Sequence, residues 1–382
     1  MGIYYIYAGM LLFFANLDVL ADRKKNILIV IVSIIIFLFI GLRYELGVDW
    51  LFYRDFYNGG AITLTIEPGY QITSFFFKLI NLNFWLFSLL ITVFTLITLS
   101  YTIRKCSPYP AFVISVYSII SFGFNVEALR QIVAVSLFYL ALNFYLREKQ
   151  RLYYIFCLIG SLFHVSALLL LLFPLITKKK MLKVGRISLV AGLLLGIVGI
   201  YPLGQIFKAV SLIYSNPYLN KLIWYSSGDS VGSILTFNLI FKIVMYCYFL
   251  NRKKSIVRLF IKRGISVSYL LVFEAAFLLM LNVDVFLGQF GTISSRLDEY
   301  FIPAMLIVVS YIIASYNKRQ NRALLSCLFS LYVFISFQRF TNNEYFMAQF
   351  VPYSNIIVEI LHGSPYNLER ENAVKLHWQL RK

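Results

Sequence analysis

The segment NFWLFSLLITVFTLITLSYTI, residues 83–103, contains no charged side chain and is followed directly by Arg104 and Lys105. A helix of about 20 apolar residues is long enough to cross the hydrocarbon core of a bilayer. The 382-residue chain is 60% hydrophobic with a mean hydropathy of +0.76, whereas soluble domains are roughly 45–50% apolar. Further apolar segments lie at 2–20, 26–42, 110–124, 127–146, 152–176, 187–204, 234–250, 265–282, 300–316 and 323–338. We predict an all-α polytopic integral membrane protein with about 10–11 transmembrane helices.

The basic residues are grouped in a way that indicates membrane topology. The formal net charge is +18, which by itself would suggest a nucleic-acid partner. However, the Lys and Arg residues occur in short clusters between apolar segments, a pattern typical of cytoplasmic loops. We therefore predict no nucleic-acid partner, and we interpret as cytoplasmic the clusters at 23–25, 104–105, 147–151, 178–186, 252–263 and 318–322.

The segment 152–176 has strongly basic flanks at both ends. A single crossing would place one flank outside, so we favour a re-entrant hairpin with His164 near its tip. This topology has ten full spans and both termini outside; the alternative has eleven spans and one misplaced basic loop. Residues 1–338 then form one membrane domain. The predicted outer segments are the loops 43–82, 205–233 and 283–299 and the C-terminal tail 339–382.

Four ionisable side chains lie within apolar segments or at their ends, where charge is costly and usually marks a site. Arg43 ends the second segment, and Arg130 lies near the start of 127–146. Arg296 precedes the next-to-last segment, and His164 lies inside the hairpin. In the predicted topology the three arginines reach the outer ends of spans and His164 approaches from below. We therefore expect all four to line one outward-facing cavity.

The types of these residues suit a diphosphate ligand. Guanidinium groups grip phosphate oxygens with paired hydrogen bonds. His164 is a candidate general base or hydrogen-bond donor to a phosphate, because histidine titrates near neutral pH. Asp49 and Glu45 follow Arg43, and either is a candidate to deprotonate a sugar hydroxyl. The sequence has no glycine-rich phosphate loop, no HExxH and no paired metal-ligand spacing. We expect no metal, no cofactor, and a donor carried on a lipid.

Each of these residues also has a purely structural interpretation. Arg43 and Arg296 would snorkel to lipid headgroups. Arg130 would pair with Glu127 three residues earlier on one helix. His164 would bond a neighbouring carbonyl and only hold the hairpin.

Charges in other segments are interpreted as structural. Glu274 lies inside LLVFEAAFLLML and Lys242 inside NLIFKIVM, and we predict an interhelical ion pair between them. The C-terminal tail, with His362, His377 and a basic cluster, is interpreted as a solvated end.

The first outer segment contains a predicted amphipathic helix that begins at Glu67-Pro68. Proline suits the first turn, and a carboxylate suits the positive end of the helix dipole. Tyr70 and residues 75–77 supply an apolar face typical of a helix in the membrane interface.

An ordered set of short motifs runs from residue 41 to about 301. They are Gly41-Leu42-Arg43-Tyr44 with Gly47, Asp49 and Tyr53; Glu67-Pro68-Gly69-Tyr70; Ala128-Leu129-Arg130-Gln131 with Ala134; Phe163-His164 with Ser166-Ala167; and Ser295-Arg296 with Tyr300-Phe301. As a set they resemble the EpsG family of bacterial polysaccharide polymerases, the Wzy-like proteins of O-antigen, capsule and exopolysaccharide gene clusters.

The resemblance implies a glycosyltransferase of the bacterial inner membrane whose active site faces the periplasm or exterior. Its substrate would be an oligosaccharide linked to undecaprenyl diphosphate, and the growing glycan would move to a new lipid-linked repeat unit. A chain-length regulator is the implied partner. The arginines would hold the diphosphate, and His164 or Asp49 would take the acceptor proton. The other implied substrate-binding residues are Tyr44, Glu67, Tyr70, Gln131 and Tyr300. With a glycan as substrate, we expect outer-loop aromatics to stack on its sugar rings, namely Trp50, Trp224 and Tyr225.

Three other classes of protein remain open at this point. A flippase for the same lipid-linked repeat would also need outward arginines, but flippases often have inverted repeats, and no repeat is visible. A membrane acyltransferase would use a buried histidine and leave the arginines unexplained. A non-catalytic assembly subunit would tolerate substitution of His164.

Overall fold

The computed structural model describes residues 1–21, 25–59, 66–200, 202–213, 236–362 and 368–379. These residues form helices joined by short connections and contain no β-strand, apart from one isolated bridge between Arg43 and Asn355. The predicted all-α class is therefore confirmed.

The chain divides into two compact units. The first comprises Met1–Leu171 and Tyr316–Lys382, and the second comprises Leu172–Ser315. The C-terminal segment from Tyr316 onward belongs to the first unit. Apolar side chains of this segment, such as Val374, pack against other parts of that unit.

The first unit contains α1 (Gly2–Leu20), α2 (Lys25–Ile36) continued by a π-helix (Phe37–Gly41), α3 (Asp49–Asn58), α4 (Pro68–Leu79), α5 (Phe84–Cys106), α6 (Pro110–Ile120), α7 (Phe122–Glu127), α8 (Leu129–Leu146), α9 (Gln150–Ser161) and a 3₁₀-helix (Val165–Leu172) that ends at the unit boundary. The second unit contains α10 (Phe173–Ile176), α11 (Lys179–Ile197), α12 (Pro202–Ile213), α13 (Phe237–Lys262), α14 (Val267–Leu287), α15 (Gly291–Asp298) and α16 (Ile302–Ala314). The chain then returns to the first unit with α17 (Arg319–Thr341), α18 (Glu344–Phe350), α19 (Ile356–His362) and α20 (Leu368–Gln379).

Among the described helices, α1, α5, α8, α14 and α17 are each long and apolar enough to cross a membrane. The pair α15 and α16 also qualifies together, although it is bent by 58°. The remaining predicted segments are shorter, as in α6, or carry several cations, as in α11 and α13. The chain is a multi-pass membrane protein in which the apolar pattern located the segments but not the breaks within them.

Helix α8 packs on α9 and α5, and α6 packs on α1, and these contacts build the core of the first unit. Buried hydroxyls join the helices, for example Ser136 Oγ to Thr95 Oγ1 at 3.1 Å. The buried carboxylate of Asp18 accepts from the N–H groups of Ala111 and Phe112 at 2.8 and 3.2 Å. It thereby satisfies donors that the first turn of α6 leaves unpaired.

The chain reverses direction around His164, as the predicted hairpin requires. Helix α9 ends at Ser161 and the 3₁₀-helix begins at Val165. The two arms lie side by side, because the hydroxyl of Tyr153 donates to the carbonyl of Leu170 at 2.5 Å. His164 therefore lies at the tip of the hairpin.

Loop 43–48 and the segment after residue 341 lie at the same end of the first unit. The N–H of Tyr44 donates to Ser354 O at 3.1 Å, and the N–H of Gly47 donates to Gln349 O at 3.1 Å. The predicted topology placed both segments on one side of the membrane, and these contacts agree with that relative placement.

In the second unit, the predicted ion pair between Glu274 and Lys242 is wrong. Glu274 is fully buried on α14 and accepts from Arg186 on α11 and from Lys253 on α13. Lys242 donates to two carboxylates, at 2.9 Å to Asp284 and 2.6 Å to Asp298.

The register of two antiparallel helices explains this correction. Helices α13 and α14 are consecutive and pack together. Lys242, early in α13, faces Asp284, late in α14, while Lys253 faces the earlier Glu274. At 1.5 Å per residue, Lys242 and Lys253 are separated by roughly 16 Å along α13. The sequence shows the charges, but only the register selects the partners.

Candidate functional site

Arg130 and Glu67 form the central ion pair of the candidate site. Arg130 Nε donates to the hydroxyl of Tyr53 at 3.2 Å, and the guanidinium lies 5.6 Å from the centre of the Tyr53 ring. The side chains of Arg130 and Glu67 are 20% and 19% exposed. These contacts fix the plane of a partly accessible guanidinium, which bidentate binding of phosphate oxygens requires.

Local sequence places both charges at helix N-termini. Glu67 has an extended backbone directly before Pro68, the first residue of α4, and its side chain makes no capping bond. Its carboxylate reaches Arg130 in the first turn of α8. The positive end of the α8 dipole adds to the positive charge of Arg130, and together they favour an anionic ligand.

Arg130 and Glu127 do not lie on one helix, as the structural interpretation of Arg130 required. Ala128, with φ −88° and ψ 59°, separates α7 from α8, so the two residues lie on different helices. Glu127 Oε1 accepts from the N–H of Val48 at 3.0 Å and from the hydroxyl of Tyr345. Glu127 thus holds the loop that precedes α3.

Gly47 permits this contact. Its φ is +82°, and a Cβ built there would lie 2.6 Å from the Glu127 carboxylate. Sequence reasoning considered Glu127 only as a partner of Arg130, and it missed the contacts of Glu127 with Tyr345 and with the loop before α3. The glycine before Val48 was the available signal, because a conformation with positive φ and a close approach both select glycine.

A backbone contact joins α4 to the tip of the hairpin. The N–H of Gly69 donates to Leu162 O at 2.7 Å. A Cβ at Gly69 would lie 2.8 Å from that oxygen and 3.0 Å from the Phe163 ring. Glu67 precedes this contact by two residues and His164 follows it by two. The ion pair and the histidine, far apart in sequence, are therefore brought to one region.

His164 is half-buried, and its ring is oriented by Ser166. Nδ1 of His164 lies 2.6 Å from Ser166 Oγ, and the N–H of Ser166 points to Nδ1 at 3.4 Å. A backbone N–H only donates, so this geometry favours Nδ1 as acceptor and places the proton of the neutral ring on Nε2. In that tautomer Nε2 is a hydrogen-bond donor.

Asp49 is the first residue of α3, and Tyr53 lies one turn later on the same helix. Residues four apart share a helix face. Asp49 is therefore on the face whose next turn contacts Arg130 through Tyr53. Its position depends on loop 43–48, which sets where α3 begins.

Arg43 is buried and bound largely by the protein itself. Its Nε donates to Val126 O at 3.1 Å, and Nη1 donates to Ile40 O at 2.7 Å and to Thr92 Oγ1 at 3.1 Å. These bonds join the π-helix, α5 and α7, so the contacts of Arg43 are those of a structural residue.

Three further predicted ligand residues are packed against the protein. The ring of Tyr44 lies 4.5 Å from the ring of Trp85. Tyr70 is fully buried against Tyr53 and Phe87. Gln131 is 1% exposed on α8.

Two further predicted ligand residues, Arg296 and Tyr300, belong to the second unit. Arg296 is exposed in the last turn of α15, and Tyr300 is fully buried, both in the second unit. Trp50 is buried beside Trp85 with ring centres 5.9 Å apart. Trp224 and Tyr225, predicted to stack on sugars, lie outside the described residues.

An apolar groove of about 270 Å³ runs beside the site between α4, α5, α8 and α9. Tyr70, Phe77, Phe87, Leu137 and Phe163 are among its lining residues. Tyr70 follows Gly69 and Phe163 precedes His164, so the groove begins where the polar cluster ends. It places an apolar surface next to the positively charged Arg130.

Within the described ranges, no group of three or more His, Cys, Asp or Glu side chains is arranged to hold a metal ion. Two of the acidic side chains near the site have partners that account for them. Glu67 pairs with Arg130, and Glu127 accepts from Val48 and Tyr345.

Comparison with known proteins gives one match. A family model described as the EpsG family matches residues 26–355, more than half of the chain. No curated protein and no solved structure matches. The matched range includes Arg43, Asp49, Glu67, Arg130, His164 and Arg296 and ends before α20.

Proposed function

This chain belongs to the EpsG family of Wzy-like polysaccharide polymerase-type membrane proteins, and from that premise we propose that it polymerises oligosaccharide repeat units carried on undecaprenyl diphosphate. Membership supports a role in polysaccharide biosynthesis. The lipid-linked substrate and the residue roles below are our proposal. The observation that carries it is the Arg130–Glu67 pair, held beside the His164 turn by the Gly69–Leu162 contact.

The proposed reaction is a glycosyl transfer between two lipid-linked glycans. The oxygen of an acceptor hydroxyl forms a bond to the anomeric carbon of the donor glycan. The bond from that carbon to the lipid diphosphate breaks, and the diphosphate leaves with the electron pair. The hydroxyl proton passes to a carboxylate, for which we propose Asp49. No redox partner is required.

Arg130 is the proposed ligand of the leaving diphosphate. Negative charge grows on the diphosphate as the bond breaks, and a preorganised guanidinium stabilises this charge most strongly in a site that excludes water. Glu67 and Tyr53 hold the guanidinium in place before the ligand arrives.

His164 is assigned a donor role in this proposal. The contact between the Ser166 N–H and Nδ1 favours a proton on Nε2, which suits a hydrogen bond to a phosphate oxygen. Of the two roles predicted for this residue, the geometry therefore favours the phosphate donor over the general base.

The apolar groove supports a lipid carrier. A site that handles a diphosphate attached to a long isoprenoid needs an apolar channel beside its cation. The groove between α4 and α8 has this character and begins beside Tyr70 and Phe163.

We further propose that the site faces the periplasm or exterior of a bacterial inner membrane. Basic residues follow α5 and α8 at the ends of those helices away from Arg130, and basic loops remain cytoplasmic. A chain-length regulator is the proposed partner on the outer side.

The test is a gel of surface polysaccharide from a host deleted for this gene. The host is complemented with wild type, with His164→Ala or with the matched control Ser161→Ala, which lies at the end of the same hairpin arm. We expect single repeat units in the deletion, a full ladder with wild type and Ser161→Ala, and a strongly shortened ladder with His164→Ala at equal protein level. Among the described residues, the hydroxyl of Ser161 donates to Leu158 O of its own helix, at 2.7 Å.

Two outcomes would overturn the proposal. An intact ladder in the deletion would exclude a polymerase. Loss of all surface repeat units in the deletion, single units included, would show that the protein acts in transport of the repeat unit and would favour a flippase.

A further inference from the structure

The C-terminal segment covers the loop that leads into α3. Ile356 N–H donates to Leu42 O at 2.9 Å, beside the bridge between Arg43 and Asn355. Further along, Arg370 in α20 donates to Tyr44 O at 3.3 Å and to Glu45 O at 3.0 Å. These carbonyls belong to consecutive residues of the loop, so one guanidinium holds its backbone.

Helix α20 adds an ion pair and an apolar contact. Glu371 Oε2 lies 3.2 Å from Arg54 Nη2 on α3, with both side chains largely buried. Val374 is 1% exposed and packs with Val48, Trp50 and Leu51. The α20 face is therefore complementary to the loop and the first turn of α3 in shape and charge. The sequence had suggested only a solvated end.

The loop beneath α20 has features that make it costly to hold without a cover. Glu45 is 1% exposed and has a φ of 49°, which is rare for a residue other than glycine. Burial raises the pKa of Glu45, and the positive charges of Arg370 and Arg54 oppose that rise. A buried carboxylate in a strained backbone persists only when its surroundings hold it in place.

We propose that α20 is a positioning element of the active site: docked on loop 43–48, it sets the start of α3 and thereby the positions of Asp49 and Tyr53 relative to Arg130. The proposal rests on the proposed function for its effect on rate, but not for the docking itself. Helix α20 lies beyond the range that matches the family, 26–355. It is therefore a feature of this chain that the family match does not cover.

The first test compares two substitutions on α20 in the full-length protein. Val374→Asp places a charge in the buried contact, whereas Leu376→Asp places the same charge at a side chain that is 55% exposed. At equal protein level we expect Val374→Asp to lower polymer yield by about 10- to 100-fold, since small displacements of a catalytic group cost that much. Leu376→Asp and the conservative Val374→Ile should match wild type.

The second test measures docking without reference to polymer. Val48→Cys is introduced into a chain whose four native cysteines are replaced, and the detergent-solubilised protein is treated with N-ethylmaleimide. Val48 is 5% exposed, so labelling should be slow in wild type and with Leu376→Asp, and at least tenfold faster with Val374→Asp. If the Val374→Asp protein does not accumulate, Arg370→Gln replaces it in both tests as a milder change to the same contact.

The two readouts separate the possible failures. Faster labelling with unchanged polymer would overturn the positioning role. Equal labelling of the Val374→Asp and Leu376→Asp proteins would overturn the docking. If wild type itself yields no polymer in the complemented host, the proposed function fails, while the labelling result still decides whether α20 docks.

Discussion

At the scale of the residue, two arginines with the same expected role have different surroundings. Arg43 is 5% exposed and donates to two carbonyls and a threonine. Arg130 is more exposed and is oriented by Glu67 and Tyr53 beside the hairpin tip. A buried guanidinium with protein partners supports the fold, and an accessible one with a fixed plane is suited to a ligand.

We therefore expect Arg130→Lys to lower activity strongly, although the substitution retains the positive charge. Lysine keeps the positive charge but loses the planar fork and the Nε bond to Tyr53. We expect polymer yield to fall about 100-fold at unchanged protein level, the scale of losing one donor to a developing negative charge. The measurement is the polysaccharide ladder normalised to protein.

Arg43→Lys is the matched comparison. This substitution should lower the amount of folded protein, because Arg43 donates hydrogen bonds to Val126, Ile40 and Thr92 within the bundle. Two results would contradict these roles. One is a normal polymer yield per protein molecule from Arg130→Lys. The other is a reduced polymer yield per molecule from Arg43→Lys with no loss of folded protein.

At the scale of the element, the contact of α4 with the hairpin tip decides whether Glu67 and His164 share a site. This contact leaves no room for a side chain, since a Cβ at Gly69 would lie 2.8 Å from Leu162 O. The two atoms nearest to that Cβ, the carbonyl oxygen and carbon of Leu162, belong to the backbone. A side chain at residue 69 could therefore be accommodated only if α4 or the hairpin moved.

Gly69→Ala should therefore lower polymer yield by about 10- to 100-fold through displacement of Glu67 from Arg130. Gly9→Ala, in α1, is the control, because a Cβ there meets nothing within 4 Å. Both proteins would be compared by ladder and by amount in the membrane. Wild-type yield from Gly69→Ala would contradict the close packing of α4 on the hairpin.

At the scale of the whole molecule, each unit contains buried charges that are matched by tertiary partners. Glu274, in the second unit, is fully buried between Arg186 and Lys253. Loss of this carboxylate leaves two cations that are 39% and 31% exposed and so partly solvated. The expected cost is about 2 kcal/mol, the scale of a hydrogen bond to a charged group.

Glu274→Gln should accordingly lower the thermal denaturation temperature of the detergent-solubilised protein, by the equivalent of about 2 kcal/mol of unfolding free energy. Glu148→Gln, in an exposed turn after α8, should leave it unchanged, since exposed charges contribute at most about 1 kcal/mol. Equal denaturation temperatures for the two variants would show that Glu274 does not support the second unit.

The amino-acid sequence by itself determined the class of the protein and the identity of its candidate residues. Long apolar runs such as 83–103 require a membrane, and basic flanks around 152–176 indicated a chain reversal at His164. These features are local, because a helix span and a flanking charge are read within one stretch of chain. The motif set also pointed to the EpsG family before any contact was known.

Only the tertiary structure decided which residues meet. Glu67 pairs with Arg130 across 63 positions of sequence, and Glu127 binds Tyr345 across 218. The register of α13 and α14 pairs Lys242 with Asp284, and Asp298 at the end of α15 is its second partner. The packing of Val374 on Val48 places α20 over loop 43–48, where the sequence predicted a solvated tail. Composition and periodicity describe one segment at a time, whereas partner choice depends on the docking of segments distant in sequence.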